Sequence, residues 1–295
     1  MNKKLLTIAM AAAMVAPLVA TADTTVYGKV NTALVNTDNG TDDYWKVQNG
    51  YAGSRLGFKG TEDLGNGMKA FFQYEFSTDA QTNGGVTGGR LANVGLTGGF
   101  GTVVLGQVWS PYYNTVDVTD FMDLSGIGNS YYIGAARIGN VAAYVTPNFS
   151  GLTATIGTII DGMPGEDGVD VYNISVDYAN GPLTAGVSYL SNEASNMDQW
   201  GFGAKYKMDN FAVMAQYEDA NDADSDSWAI GGEGYFGNNT VKAVYGSADL
   251  AGADYDVWSI GVKHSFSKRT FVYAGYETAD DADIDVFGLG LQHNF

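Results

Sequence analysis

Few side chains in this sequence could carry covalent catalysis. The chain has no cysteine and two histidines, His264 and His293, so a nucleophile would have to be a serine activated by one of them. Both histidines alternate with apolar residues at the ends of predicted strands, as residues at a membrane interface do. An imidazole there could serve a lipid-cleaving barrel hydrolase, which is one hypothesis for function.

Two charged residues, Lys29 and Arg55, alternate with apolar ones on predicted strands. Lys29 is opposite in phase to Val26 and Val30, and Arg55 alternates with Leu56. If these apolar neighbours face lipid, both cations face the other side of the sheet, toward water. A basic group on such a wall can be a selectivity element, although it is more often a solvated or salt-bridged wall residue.

Two letter patterns imitate ligand sites without the required context. The acidic run at 222–226 with Glu233 imitates a calcium loop, but Ser227 stands where that loop needs glycine and no helices flank it. The glycine pattern at 232–237 fits a dinucleotide fingerprint but leads into a turn and a strand. The sequence therefore predicts no cofactor and no bound metal.

The first 22 residues have the pattern of a secretory signal peptide. Lys3 and Lys4 precede an apolar stretch at 5–19, and residues 20–22 form a small-x-small cleavage site. The stretch is shorter than the ~20 residues that a spanning helix needs. We expect residues 1–22 to be removed, leaving one β-barrel domain at 23–295.

The charge balance is strongly acidic, and this limits the classes of partner that the protein can bind. The chain carries 33 acidic and 15 basic residues, a formal net charge of −18, which becomes −20 when Lys3 and Lys4 leave with the signal peptide. Because phosphate binding needs a basic face, this excess excludes nucleic acid as a partner. Without cysteine there is no disulfide, and a closed sheet is one way to stabilise an exported chain.

Apolar and polar residues alternate with a period of two along almost the whole chain. In the last predicted strand, Phe287, Leu289 and Leu291 share one face, while Gly288 and Gly290 share the other. The chain has 40 glycines, 13% aromatic residues and, after residue 22, no apolar run long enough for a spanning helix. This combination is typical of transmembrane barrels.

The predicted connections alternate between tight turns and longer, mostly acidic loops. The turns are at 61–66, 98–101, 147–151, 180–182, 208–210, 237–239 and 267–269. The loops are at 36–50, 78–89, 109–130, 161–169, 192–198, 220–226, 249–254 and 279–283. Fifteen connections join sixteen strands, so the sequence predicts an all-β fold: a transmembrane antiparallel β-barrel with short periplasmic turns, long outer loops and an aqueous lumen.

Several stretches of the chain carry a family resemblance. The most specific is SRLGFKGTEDLGNGMKA at 54–70, and others lie at 25–30, 90–96, 100–107 and 144–152. They resemble the trimeric general porins of Gram-negative bacteria, of the neisserial and comamonad type. The terminal Phe295 is similar to the signal read by the barrel assembly machinery. The resemblance implies an outer-membrane homotrimer in contact with lipid and lipopolysaccharide, passing ions and small hydrophilic solutes by diffusion.

The resemblance also implies a constriction, because in that family the third long loop folds into the lumen. The candidate loop is 109–130, the longest. The implied constriction residues are Asp117, Asp120 and Asp123 on this loop, and Lys29, Arg55, Arg90 and Arg137 on the facing wall. Charged rings at a constriction set ion selectivity. The family commonly has arginine where this chain has Gln107, which implies a less positive constriction.

Other interpretations stay open at this stage. A barrel adhesin or receptor with a plugged lumen would show large apolar residues on its inward face, where this sequence predicts mainly Gly, Ser, Lys, Gln and Asn, with Phe71 as an exception. The acidic loops at 42–43, 219–226 and 280–285 would ring the mouth. There they could concentrate cations, share divalent cations with lipopolysaccharide, or simply be solvated.

Overall fold

The computed structural model describes residues 23–51, 53–124, 127–160, 168–169, 171–192, 197–251 and 254–295. The predicted signal peptide at 1–22 lies outside the described residues. Within those ranges, no helix is both long and apolar enough to cross a bilayer.

The described chain is almost entirely strand. The strand segments are β1 (Asp23–Asp38), β2 (Asp43–Asn49), β3 (Ser54–Gly65), β4 (Met68–Thr78), β5 (Val86–Gly98), β6 (Gly101–Trp109), β7 (Arg137–Val145), β8 (Leu152–Ile159), β9 (Val171–Asn180), β10 (Leu183–Asn192), β11 (Met197–Lys207), β12 (Phe211–Ala220), β13 (Ser225–Phe236), β14 (Asn239–Leu250), β15 (Asp254–Ser265), β16 (Thr270–Ala279) and β17 (Ile284–Asn294). One short α-helix, α1 (Pro111–Val116), and 3-10 turns at Ile127–Asn129, Asn221–Ala223 and Asp280–Ala282 complete the described elements.

The strands close into one antiparallel barrel with sixteen strand positions, as predicted. Segments β2 and β3 share a position, because β1 pairs with β2 along residues 32–38 and with β3 along residues 23–29. On its other side β1 pairs with β17, from Lys29 opposite Asn294 to Asp38 opposite Asp285. This last pairing leaves the sheet without an edge.

Turns and loops alternate around the described barrel, with seven tight connections at one end and eight longer ones at the other, as predicted. The first loop differs from the prediction of 36–50, since β1 continues to Asp38 and β2 begins at Asp43. Asn36 pairs with Trp45 across this hairpin, and the Trp45 ring packs edge-on against Phe287 at 6.4 Å. Cross-strand aromatic packing therefore extends the sheet into the predicted loop.

The two faces of the sheet differ in chemistry. On β1, Val26, Val30 and Leu34 are 44–55% exposed on the outside, whereas Asn31 between them is 1% exposed on the inside. Aromatic pairs continue the outer face near the loop end as a belt. The ring centroids of Trp200–Tyr217, Trp228–Tyr245 and Trp258–Tyr276 are 5.4, 5.4 and 5.3 Å apart. An apolar band edged by aromatic rings is the surface that a bilayer requires.

The closing seam depends on a close approach at Gly28. Its N–H donates to the Phe295 carbonyl at 3.1 Å, and the Phe295 N–H donates back at 3.0 Å. The Phe295 ring lies over Gly28, so that a Cβ there would fall 2.5 Å from the ring and would also meet the Arg55 carbonyl. Glycine is required because any side chain would displace the last residue.

We expect Gly28→Val to weaken the closed barrel by about 1–3 kcal/mol, the usual cost of overpacking. Urea unfolding of the purified protein in detergent measures this change. The control is Gly139→Val on β7, where an added Cβ meets nothing within 4 Å. Equal stability of the two variants would contradict the proposed role of the seam.

Candidate functional site

The third loop turns into the barrel, and we call its described residues, 110–124 and 127–136, the inner loop. It begins at a capped helix: Ser110 Oγ accepts from the Tyr113 N–H at 3.4 Å, and Pro111 occupies the first turn of α1. The Ser110 N–H donates to the Ala136 carbonyl at 3.0 Å, which ties the two ends of the inner loop together. The prediction of an in-folded third loop is confirmed, with an extent six residues greater than 109–130 at its far end.

Polar side chains on the inner wall hold the inner loop in place. Gln216 Oε1 accepts from the Thr119 N–H at 3.1 Å and from its hydroxyl at 2.6 Å. Glu218 accepts from the Ile133 N–H at 3.3 Å, and Glu277 accepts from the Gly128 N–H at 3.4 Å. Two of these contacts are with β12 and one is with β16, and they meet the loop at residues 119, 128 and 133, so the loop is anchored along its length.

Apolar contacts on the same wall depend on glycine. The Tyr131 ring, 0% exposed, lies against Gly246, and Leu124, 1% exposed, lies against Gly288. A Cβ at Gly288 would be 2.5 Å from Leu124 Cδ1. The inner loop therefore packs against the small residues that the alternation places on the inward face of β14 and β17.

Cations gather on the inner faces of the strands from β1 to β7. Glu75 on β4 accepts from Arg90 Nε at 2.6 Å and from Arg55 Nη1 at 3.4 Å, and both glutamate and Arg90 are buried. Tyr27 donates a third hydrogen bond to Glu75 at 3.1 Å. Ionised partners of this kind make the stronger class of hydrogen bond, so Glu75 fixes the position of both guanidinium groups.

A β-bulge turns Arg90 inward. The register between β4 and β5 shifts at this point, with Glu75 opposite Leu91 and Phe76 opposite Gly89. Arg90 is the extra residue, and both Arg90 and Leu91 are buried on the lumen side. Bulges commonly re-aim a side chain in this way, and simple alternation would have placed Arg90 on the outside.

The remaining cations surround Trp109 and the seam. The guanidinium groups of Arg137 and Arg90 lie 4.9 and 5.6 Å from the centre of the Trp109 ring. Trp109 stacks in turn on Tyr113 of the inner loop at 5.1 Å. Lys29 donates to Gln292 at 3.3 Å on the neighbouring strand. The structure thus brings all four predicted cations to one side of the lumen.

The three predicted aspartates lie in the inner loop, but their charges are not equally available. Asp123 accepts from Lys242 Nζ on β14 at 2.5 Å. Asp120 accepts from the Tyr113 hydroxyl, and Asp117 accepts from Asn129 Nδ2 at 2.9 Å. Burial, with the neighbouring Asp120 carboxylate, raises the pKa of Asp117 to about 8. Asp117 is therefore mainly neutral at pH 7, and Asp123 is paired.

Three residues of the site were absent from the predicted set: Glu75, Trp109 and Lys242. Glu75 lies on the predicted inward face of its strand, so alternation alone could have placed it in the lumen. The pairing of Lys242 with Asp123 joins residues 119 positions apart, and no local pattern signals it. Gln107, which replaces a family arginine, donates to the Arg90 carbonyl at 3.0 Å and so supports the bulge instead of adding charge.

A closed, sixteen-position antiparallel barrel with an apolar outer band and an inner loop against a charged wall defines an outer-membrane pore protein. A family model described as Gram-negative porin matches residues 9–284. The chain belongs to the Gram-negative porin family, and it is an outer-membrane porin that forms a water-filled channel for diffusion of ions and small solutes.

The relatives agree with this assignment. The chain is 30% identical to outer membrane porin protein 32 of Delftia acidovorans, over 98% of this chain and 92% of that protein. It is also 30% identical to major outer membrane protein P.IB of Neisseria gonorrhoeae, with both chains covered in full. An anion-selective porin from Comamonas acidovorans has the same fold at a TM-score of 0.76 and 23% identity, covering 93% of this chain and 100% of that one.

Removal of the cation that holds Asp123 tests the anchoring of the inner loop. In Lys242→Met the Asp123 carboxylate loses its partner. We expect the anion-to-cation permeability ratio to fall, because the lumen loses a positive charge. We also expect the noise of the open-channel current to rise, because the inner loop loses an attachment to the wall. Lys207→Met is the control, since Lys207 shares the inward phase of β11 but lies over Tyr235 at 5.4 Å. Noise that rises equally in both variants would show that the Asp123 contact does not anchor the loop.

The raised pKa of Asp117 predicts a pH dependence of selectivity. Below pH 8 its carboxyl is mainly neutral, so Asp117→Asn should match the unmodified protein in reversal potential at pH 6. Above pH 8 ionisation adds a negative charge to the lumen, so the unmodified protein should then be less anion-preferring than Asp117→Asn. Paired measurements at pH 6 and pH 9 isolate this residue, and a difference already present at pH 6 would contradict the assignment.

Proposed function

We propose that this porin is a passive, non-enzymatic channel that prefers anions, and that the seven predicted charged residues surround its constriction. The observation that carries the proposal is the imbalance of charge across the lumen. The four cations Lys29, Arg55, Arg90 and Arg137 outnumber the carboxylates that the structure describes on the same side of the lumen, which are Glu75 on β4 and Asp177 on β9. The inner loop compensates only in part, because Lys242 pairs with Asp123 and leaves the charge of Asp120, which accepts from the Tyr113 hydroxyl.

The size of the effect follows from distance and dielectric. Two unit charges 4 Å apart interact by about 1 kcal/mol in water and about 4 kcal/mol at the effective dielectric near a protein surface. An excess of positive charge at a narrow passage therefore changes the ratio of anion to cation permeability by about tenfold or more. The acidic outer loops oppose this preference, but salt screens them over about 8 Å at physiological strength.

The contacts of the histidines favour a channel over a lipid hydrolase. His264 Nδ1 contacts Asn239 Oδ1 at 2.8 Å, and His293 Nδ1 contacts the Thr270 hydroxyl at 2.8 Å. Neither contact is with a serine. Inward polar groups that stay partly exposed, such as Lys29, Gln73 and Asn93, favour a wetted wall over the dry interior of a closed anchor.

The assembly state is proposed from the family resemblance. We infer a homotrimer in outer-membrane lipid and lipopolysaccharide, with residues 1–22 removed on export. Phe295 would serve as the signal for the barrel assembly machinery, and its exposed ring at the seam is accessible for that role before closure. Three conductance steps of equal size per inserted particle, and a mature N-terminus at Asp23, are the corresponding expectations.

Planar-bilayer recording in a KCl gradient tests the function. We expect stepwise conductance and an anion-to-cation permeability ratio above one, which Arg137→Gln lowers about two- to fivefold. Arg269→Gln is the control, because Arg269 is an exposed residue of the turn between β15 and β16. Absence of conductance would overturn the channel, and a ratio of one or below would overturn the anion preference.

A further inference from the structure

An apolar recess interrupts the polar inner wall on the side of the cations. It has a volume of about 280 Å³, lies on the inner faces of β4 to β9, and is covered by the first residues of the inner loop. Its apolar lining includes Phe71, Leu91, Val104, Val108 and Trp109. Phe71 is the one large apolar residue on the predicted inward face, and in the structure it lies beside the other apolar residues of the recess.

The lining residues face inward because of strand alternation. On β6 the neighbours Val103 and Leu105 are 41% and 51% exposed on the outer face, so Val104 between them points into the barrel. Leu91 lies on the lumen side beside the bulge at Arg90. Apolar groups on a water-facing wall lose the stabilisation of burial unless something apolar covers them. The recess is therefore suited to the apolar part of a passing solute.

Trp109 belongs to both the recess and the cationic cluster. Its ring lines the recess, and Arg90 and Arg137 lie over it at 5.6 and 4.9 Å. Arg90 is 5% exposed, and its Nη2 atom is buried with no hydrogen-bond partner among the residues that the structure describes. A buried N–H donor without an acceptor costs free energy, so an oxygen atom of a ligand that accepts from Arg90 Nη2 would be stabilising.

The lining also limits the ligand to a single negative charge. Asp177 on β9 is part of the recess, together with Asn114 of the inner loop. A second carboxylate entering the recess would meet the charge of Asp177, whereas an apolar ring would not. The volume is below the roughly 300–1,000 Å³ of sites that enclose drug-sized ligands, and so suits one ring or a short branched chain.

We propose that the recess and the arginines form a transit-binding site for small monocarboxylates with an apolar body, the aromatic carboxylates above all. The carboxylate binds at Arg90 and Arg137, and the ring occupies the space between Trp109, Phe71 and Leu91. The site rests on the proposed anion preference and adds a substrate class to it. Binding slows the solute within the constriction, so it should reduce the chloride current.

The test measures block of the chloride current in single channels by added probes. Benzoate should block at about a tenfold lower concentration than acetate, because most of its ring leaves water on binding. Benzamide, which has the ring without the charge, should not block, and the dianion terephthalate should block more weakly than benzoate. Equal potency of benzoate and acetate, or block by benzamide, would overturn the site.

Matched phenylalanine variants locate the effect. Phe71→Asn should abolish the advantage of benzoate over acetate, and Leu91→Asn provides a second variant of the recess. Phe271→Asn should retain the advantage, since Phe271 is an inward, half-buried phenylalanine on β16 that lies outside the recess. Loss of the advantage in Phe271→Asn, or its persistence in both recess variants, would place binding elsewhere and overturn the proposal.

The KCl reversal potential of the same channels separates this proposal from the one on which it rests. An anion preference in KCl with no benzoate advantage would overturn the recess site alone and leave the proposed function standing. A cation preference in KCl would overturn both.

Discussion

Backbone hydrogen bonding in hydrocarbon is the constraint on which the rest of this structure depends. A strand that crosses a bilayer cannot leave N–H or C=O groups unpaired, because no water is present to satisfy them. The pairing of β1 with β17 meets this demand, and it fixes Gly28 as glycine because Phe295 must lie against it. Closure at sixteen positions then creates an interior too wide for wall side chains to fill. The inner loop exists in the space that closure produces.

A loop inside a wet lumen needs its own means of attachment, since the hydrophobic effect alone does not select one position on a polar wall. The chain combines two. Glycine on the wall lets Tyr131 and Leu124 approach closely, and buried side chains such as Gln216 and Glu218 accept hydrogen bonds from the loop backbone. A buried acceptor left without its donor costs free energy, so the loop is favoured where each pair meets. The wall opposite is thereby left open to solute.

The sequence predicted those features that follow from local periodicity. Alternation placed Lys29 and Arg55 on the inward face, and spacing of turns predicted the sixteen positions. Alternation alone could not predict the position of Arg90, which only the family resemblance implied, because a bulge depends on the partner strand and reverses the expected side. Nor could it predict that Lys242 neutralises Asp123, since that pair is formed by the path of the inner loop across the lumen. The errors lie where tertiary contacts override a period of two.

The distribution of charge follows from the same division between wall and loop. The chain as a whole is strongly acidic, with a formal net charge of −18, yet its described interior on the side of β1 to β7 is basic. These facts are compatible because most of the acids that the structure describes lie in the connections or at the ends of strand segments, where desolvation is small and salt screens them. The cations lie on strands inside the barrel, where Glu75 orders two of them and aromatic rings support Arg137. Net charge therefore describes the solubility of this protein, whereas the few charges inside the barrel determine which ions pass.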